Sequence, residues 1–401
     1  MKRKLYSGRD SRRAVAIADL QAMARRRLPH FALEYLECGV EDELGVRANR
    51  AAFDGVQLVP RTLRDVSQRS MQTRLAGDIA SAPMAIGPTG FNGMLWRDAD
   101  IALARAAAQS GVPFCIATLA CASIERIADA TRNWPESRRW LQLYLFRDRR
   151  CTLELLQRAR DTGITTAVLT TDAVVYGNRN WEARNYRGFK RPNWRSMFDA
   201  AMHGRWLANV YLPGLPRFEN LDEFIGKRAT ALEAADWIER QMDTALTWRD
   251  VEWLREHWDG TLIVKGILDT EDANHAVRCG ADAIVVTSHG GRQLDCAIPS
   301  LAALPAVADA IGGRAAILID SGIRRGLDVI KARRLGAQGV LLGRATLYGV
   351  AAAAERGALR ALEILRNEID NGLAQLGCAT LDQLTDVSVV CAPNAPAERR
   401  I

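Results

Sequence analysis

The chain has 401 residues, 48% apolar and 25% charged, enough for one large α/β barrel or two ordinary domains with a sizeable core. Basic side chains outnumber acidic ones by 54 to 47, and most of that excess lies between Arg179 and Arg217, where eight basic residues face only Glu182 and Asp199. The remainder is nearly neutral, so one local anionic partner is indicated and a general nucleic-acid binder is excluded.

The amino terminus is basic (Lys2, Arg3, Lys4, Arg9, Arg12, Arg13) but lacks the apolar core of a signal peptide, and no apolar run is long enough to span a bilayer. Residues 1–80 read as a mostly helical extension, with helices predicted at Leu20–Arg27 and Phe31–Leu36. From residue 81 short β-rich runs at Met84–Pro88, Pro113–Thr118, Trp140–Leu145 and Ala167–Asp172 alternate with helical patterns at Asp98–Ser110, Ser123–Ala130 and Arg147–Asp161. Residues 173–260 interrupt this alternation and must carry helices of their own, with Ala234–Arg240 and Trp248–His257 nearest the next strand. Runs at Leu262–Gly266, Ala283–Ser288, Ala315–Ser321 and Gly339–Arg344 resume it, with helices at Thr270–Arg278 and Gly326–Leu335. Eight strand–helix units predict an α/β fold closed into a (β/α)8 TIM barrel over residues 81–380, with 381–401 as a carboxy-terminal tail. A Rossmann sheet is disfavoured because no Gly-x-Gly occurs. Eight scattered cysteines without Cys-x-x-Cys fit reduced thiols in a cytoplasmic protein, and the five histidines show no metal-ligand spacing.

A barrel carries its chemistry at the carboxyl ends of its strands. The sixth predicted strand runs into Thr287-Ser-His289-Gly-Gly-Arg292-Gln-Leu-Asp. His289 is a proton acceptor suited to neutral pH, and Arg292 is a fork of donors suited to a carboxylate. Together they point to proton abstraction beside a carboxylate; the bland alternative is a buried histidine and a surface arginine at an ordinary turn. Gln142, Tyr144, Thr170, Asp172 and Lys265 fall at the ends of strands three to five, and Gly87-Pro88-Thr89-Gly90 follows the first. Tyr35 could be a core tyrosine and Asp172 a helix cap, whereas a lysine inside a buried strand demands an anionic partner. Asp320-Ser321-Gly322-Ile323-Arg324 and Gly343-Arg344, after strands seven and eight, supply the glycine, helix start and arginine of a barrel phosphate site.

These residues resemble the FMN-dependent 2-hydroxy-acid dehydrogenases and oxidases over nearly the whole chain, from Leu28-Pro29 to Leu376-Gly377-Cys378. Ser288-His289-Gly290-Gly291-Arg292-Gln293 is similar to the family signature. Gly87–Gly93 and Leu341–Gly349 look most like the mandelate-oxidising branch. The resemblance implies that Tyr35, Tyr144, Arg179 and Arg292 hold a small 2-hydroxy acid, that His289 is the base and that Asp172 orients it. It further implies that Pro88, Thr89, Gly90, Ala117, Gln142, Thr170, Lys265 and Thr287 surround the flavin ring. Asp320, Ser321, Gly322, Ile323, Arg324, Gly343 and Arg344 are then expected on the ribityl chain and phosphate. Such chemistry needs FMN, because no side chain stores two electrons. Ala117 and Ser288 depart from the family's serine and asparagine.

Gly90 stands where oxidases of the family often carry alanine, which suggests room for a bulky or aromatic substrate, (S)-mandelate before L-lactate, and poor oxygen reactivity. Trp194, Met197, Phe198, Ala201 and Met202 share one helical face, with Trp206, Val210, Tyr211 and Leu212 expected to extend it. A basic, aromatic-rich segment at 184–215, within an insertion at about 180–230, suits an anionic bilayer surface; a lid or oligomer contact is the alternative. The resemblance thus implies a homotetramer held at the inner face of the cell membrane, with a quinone or other membrane acceptor. Deletion of 184–215 is expected to release a soluble, active enzyme. Rival readings are a 2-hydroxy-acid oxidase, another FMN barrel such as a type 2 isopentenyl diphosphate isomerase, and a non-catalytic flavin binder.

Overall fold

The computed structural model describes residues 4–187, 191–227 and 229–391; Lys2, Arg3, Lys190 and positions 392–401 of the expected tail lie outside the described residues. Eight parallel strands close a barrel: β1 (Met84–Ile86), β2 (Phe114–Ile116), β3 (Arg139–Leu143), β4 (Thr166–Thr170), β5 (Thr261–Ile267), β6 (Ala283–Val286), β7 (Ala316–Ile319) and β8 (Gly339–Leu342). Each strand pairs with its sequence neighbours, and β8 closes on β1. Every predicted run overlaps one of them. The ladders stop short of Pro88, Asp172, Ser288 and Ser321; after β6 the backbone bonds to side chains instead, with Ser288 N donating to Ser300 Oγ, His289 N to Thr287 Oγ1 and Gly290 N to Ser321 Oγ, each at 2.9 Å.

The period-2 alternation of strands builds the interior in layers. Ala85, Cys115, Trp140, Val168, Ile263, Val285, Leu318 and Leu341 form one wholly apolar layer. Leu75, Ala76 and Ala80, from the hairpin Thr73–Leu75 and Asp78–Ala80, pack into this layer, and Trp140 Nε1 donates to Asp78 at 2.7 Å. Two residues further along the strands come Gly87, Ala117, Gln142, Thr170, Lys265, Thr287, Asp320 and Gly343. The sequence therefore places a small and polar layer on an apolar floor, whose large side chains each contribute roughly 1.5–3 kcal/mol by burial.

The extension forms helices Ile17–Arg27, His30–Glu37 and Leu44–Asp54. The third is absent from the sequence expectation: its N-cap, Glu43, is left-handed and makes no side-chain capping bond, so the usual start signal is missing. It matters to the barrel, since Asn49 Nδ2 donates to Ser288 Oγ at 2.8 Å and Ser300 N donates to Asn49 Oδ1. Val56–Leu58 pairs antiparallel with Val389–Cys391, joining the beginning of the fold to its end.

In the insertion, helix Trp194–Met202 is pinned by Asp199, which accepts from His30 N, and by Ser196 Oγ, which donates to Asn185 O at 3.0 Å. Its other face leaves Trp194, Met197, Phe198 and Met202 at 60–72% exposure. Trp206 and Val210 correct the expectation, being 3% and 2% exposed. The chain folds back after His203, so that Trp206 packs edge-on against Phe31 at 5.3 Å and donates Nε1 to Met94 O at 2.8 Å. Among the described residues no helix is long and apolar enough to cross a membrane.

Candidate active site

A cavity of about 1220 Å³ opens at the carboxyl ends of the strands. Its wall includes Tyr35, Tyr144, Arg179, Arg292, His289 and Lys265, together with Pro88, Thr89, Gly90, Ala117, Gln142, Thr170, residues 320–324, Gly343 and Arg344. Two predicted residues stand one layer behind. Asp172 backs His289, and Thr287, 0% exposed, lies beneath the wall, where its hydroxyl donates to Asp320. The reason for the second placement is the strand register: Thr287 follows β6 pointing inward between Lys265 and Asp320.

His289 holds a left-handed backbone (φ +52°), as do Gly290 and Gly291 after it. That conformation is costly for histidine, and such strain concentrates at functional sites. The turn aims the ring so that Nδ1 lies 2.9 Å from Asp172 Oδ1, leaving Nε2 as the nitrogen that can accept a proton from the cavity. Burial would raise the Asp172 pKa, but the neighbouring His289 imidazole and Lys265 ammonium outweigh it and hold the carboxyl at about 2. Asp172 is thus a permanent carboxylate, and it does not cap a helix.

Lys265 is 4% exposed and has the anionic partner its position demands: Asp320 Oδ2 at 3.4 Å, with Thr287 Oγ1 also at 3.4 Å. Burial opposes its charge, yet Asp320 and Asp172 more than compensate and its pKa is raised. Above the apolar floor, Gln142 is oriented by donating Nε2 to Thr170 Oγ1 at 3.1 Å and accepting from Thr118 N at 3.1 Å.

Arg179 and Arg292 are two guanidinium groups brought to one chamber. Burial and the charge of Arg179 lower the Arg292 pKa; burial also works against Arg179, but Glu182, 3.6 Å away, raises it. Two half-buried cations held against repulsion in one wall are suited to an incoming carboxylate. Burial raises the pKa of both Tyr35 and Tyr144, so their phenols stay protonated. Tyr35 donates to Gly90 O at 2.8 Å.

The contacts show what else two of the expected site residues do, and both line the cavity. A methyl at Gly90 would meet Leu119 Cβ at 3.0 Å and its carbonyl oxygen at 3.2 Å, because the Gly90–Phe91 backbone runs against the loop after β2. The same approach is seen in the hydrogen bond from Phe91 N to Leu119 O at 2.9 Å. Gly90 therefore governs packing on Leu119, and not simply free space above a ring. Arg344, expected on a phosphate, donates Nε to Leu36 O at 3.1 Å, Nη1 to Gly290 O at 2.8 Å and Nη2 to Cys38 O at 2.9 Å. Arg292 likewise donates Nη1 to Tyr35 O and Cys38 O. Helix His30–Glu37 ends here with carbonyls that have no partner within the helix, and the two arginines cap them.

The residues present fit FMN. Gly343 stands at the N-terminus of helix Arg344–Leu376, where an added Cβ would find only Thr89, at 3.9 Å, so an anion can approach the backbone. Arg324 gives only one donor to its neighbour's carbonyl, at 2.8 Å from Ile323 O, and supplies the charge at that end. Gln142, Thr170 and Lys265 offer polar groups to a flat ring at the other.

Sequence reasoning missed the supports. Asn92 donates to Thr89 Oγ1 at 2.9 Å and to Asp100 Oδ1 at 2.7 Å, fixing the loop after β1. An aspartate amid Ala99, Ile101 and Ala102 is the signal that could have found this pair. Nothing local marks Asn49 or Glu182.

The chain matches the FMN-dependent dehydrogenase family over residues 24–390. It is 42% identical over 373 residues to the (S)-mandelate dehydrogenase of Pseudomonas putida, covering 92% of each chain. It is 40% identical over 378 residues to the L-lactate dehydrogenase of Pectobacterium atrosepticum, covering 94% of this chain and 96% of that one. Among solved structures, the monotopic membrane protein (S)-mandelate dehydrogenase aligns with a TM-score of 0.88 at 39% identity, over 94% of this chain and 99% of that one. A mandelate oxidase with (S)-4-hydroxymandelic acid aligns with a TM-score of 0.82 at 34% identity, over 95% and 100%.

Proposed function

Since the chain belongs to the FMN-dependent dehydrogenase family, we propose that it oxidises a bulky or aromatic (S)-2-hydroxy acid, (S)-mandelate first, to the 2-oxo acid and delivers the electrons to a membrane quinone. The observation that carries this reading is the convergence of Arg179 and Arg292 on a cavity whose base, His289, is backed by a permanent carboxylate. The two guanidinium groups bind and orient the substrate carboxylate, which places the α-carbon near the imidazole. His289 Nε2 takes up a proton, and Asp172 stabilises the imidazolium that results. Tyr35 and Tyr144 keep their hydroxyl protons and serve as hydrogen-bonding groups on the substrate. FMN, when bound, accepts the two electrons; Pro88, Thr89, Gly90, Ala117, Gln142, Thr170 and Lys265 would line its ring, with Ser321–Arg324 and Gly343 on its phosphate chain.

Support for an aromatic substrate comes from the wall, not from Gly90. Tyr35, Phe91 and Phe218 form an aromatic series, with ring centroids 6.1 Å and 5.1 Å apart. Mandelate and lactate relatives match almost equally well, at 42% and 40%, so L-lactate is the second reading. The type 2 isomerase alternative does not explain two half-buried arginines lining one cavity with a base. Steady-state rates with (S)-mandelate, L-lactate and glycolate test the choice: kcat/KM is expected to be highest for (S)-mandelate, and a clear preference for glycolate overturns the proposal.

The membrane part of the reading rests on helix Trp194–Met202 and its continuation. Tyr211, Leu212 and Leu215 are 53–75% exposed beside the apolar face already described. A surface of this kind lies on an anionic bilayer, the inner face of the cell membrane in this reading, without crossing it. Deletion of 184–215 is not a clean test, because it would also remove buried Asn185, Trp206 and Val210.

A further inference from the structure

We propose that the apolar arm of the cavity is the binding site of a lipophilic quinone, reached from the exposed face of the insertion; this assignment rests on the acceptor reading above. The cavity, about 1220 Å³, exceeds the roughly 300–1,000 Å³ usual for a ligand site. One end is made by the flavin cradle and the carboxylate grip. The other is walled by Met197, Trp206, Val210, Tyr211, Leu215 and Phe218, which belong to neither.

Three of these residues face two ways. Met197, Tyr211 and Leu215 line the cavity and are also 65%, 53% and 57% exposed, so its mouth is bordered by the same apolar surface that would meet a bilayer. Trp206 and Val210, almost fully buried, continue the wall inward. Phe218 then meets Phe91, and Phe91 meets Tyr35 beside the reaction chamber. A 2-hydroxy acid held by Arg179 and Arg292 extends at most to the Tyr35–Phe91–Phe218 series and gains nothing from Met197, Trp206, Val210, Tyr211 and Leu215 beyond it. A planar ring with a long hydrocarbon tail gains in proportion to the apolar area it hides. The redox balance closes with such a ligand: the 2-hydroxy acid loses two electrons and two protons as its α C–H and O–H bonds break, and the quinone takes up two electrons and two protons as two O–H bonds form in the quinol.

The test uses detergent-solubilised holoenzyme and decylubiquinone as the probe. Val210→Trp fills the arm, and Leu215→Trp adds bulk at a half-exposed position where the fold need not repack. Binding is followed by quenching of tryptophan fluorescence and by thermal shift, alongside 2-hydroxy-acid oxidation with a soluble dye as acceptor. Both variants are expected to keep dye-linked turnover within about twofold, while decylubiquinone binds about tenfold more weakly and its KM rises by a similar factor. Unchanged decylubiquinone binding in both variants, with dye turnover intact, overturns the site. A wild-type enzyme that turns over with the dye but neither binds nor reduces decylubiquinone overturns the acceptor reading itself.

Discussion

Arg179 and Arg292 both present a half-buried charge to the cavity, yet they are held differently. Arg292 caps two backbone carbonyls at the end of a helix, whereas Arg179 has the glutamate one turn away. Loss of the two should therefore read out differently. Arg179→Met is expected to raise KM about ten- to a hundredfold, the value of charge-assisted hydrogen bonds to a carboxylate, with little change in melting temperature. Arg292→Met should raise KM and also lower the melting temperature, because Tyr35 O and Cys38 O lose their donor. Equal melting temperatures for the two variants would contradict this division. Asp172 makes a prediction about pH. Its folded pKa, about 2, lies below the unfolded value of about 3.9, so its stabilisation is complete above about pH 4 and is lost as pH falls through 2. Asp172→Asn should melt below the wild type at neutral pH, and the gap should close between about pH 4 and pH 2. A gap that is constant over that window would show that the carboxylate charge is not what stabilises the fold.

Helix Trp194–Met202 tests the membrane reading without touching the cavity's interior. Phe198, Met202 and Leu212 are 66–75% exposed, and none of them lines the cavity. Replacing the three with glutamine should shift the protein from the membrane pellet to the supernatant while dye-linked turnover is retained; a variant that still sediments with membranes counts against this face as the anchor. The same helix shows where sequence reading succeeds and where it stops. Its exposed stripe was legible because one face is apolar at helical spacing and the other carries Arg195, Asp199 and His203. The burial of Trp206 and Val210 was not, because it depends on Phe31 and Met94, far away in the chain. The direction of a methyl at Gly90 likewise depends on Leu119, in a different loop. The barrel strands were legible for the opposite reason: each is a short β-rich run broken at its end by a polar residue or glycine, and the break marks the cavity.

The molecule as a whole is an apolar floor with a polar layer above it, covered by an amino-terminal extension whose helix end is capped from the loops that line the cavity. Arg292 and Arg344 belong to the barrel, and their carbonyl partners Tyr35, Leu36 and Cys38 belong to the extension. That division explains why the extension supplies Tyr35 to the site and cannot be treated as a separate appendage. The reaction class rests on His289 acting as the base on a 2-hydroxy acid in an FMN-loaded barrel, and one anaerobic titration examines it. Adding (S)-mandelate to the yellow holoprotein should bleach the flavin absorbance, and His289→Gln, equally yellow, should bleach about 10²–10⁴-fold more slowly. A holoprotein that no 2-hydroxy acid bleaches, or a His289→Gln variant that bleaches at the wild-type rate, would contradict the account.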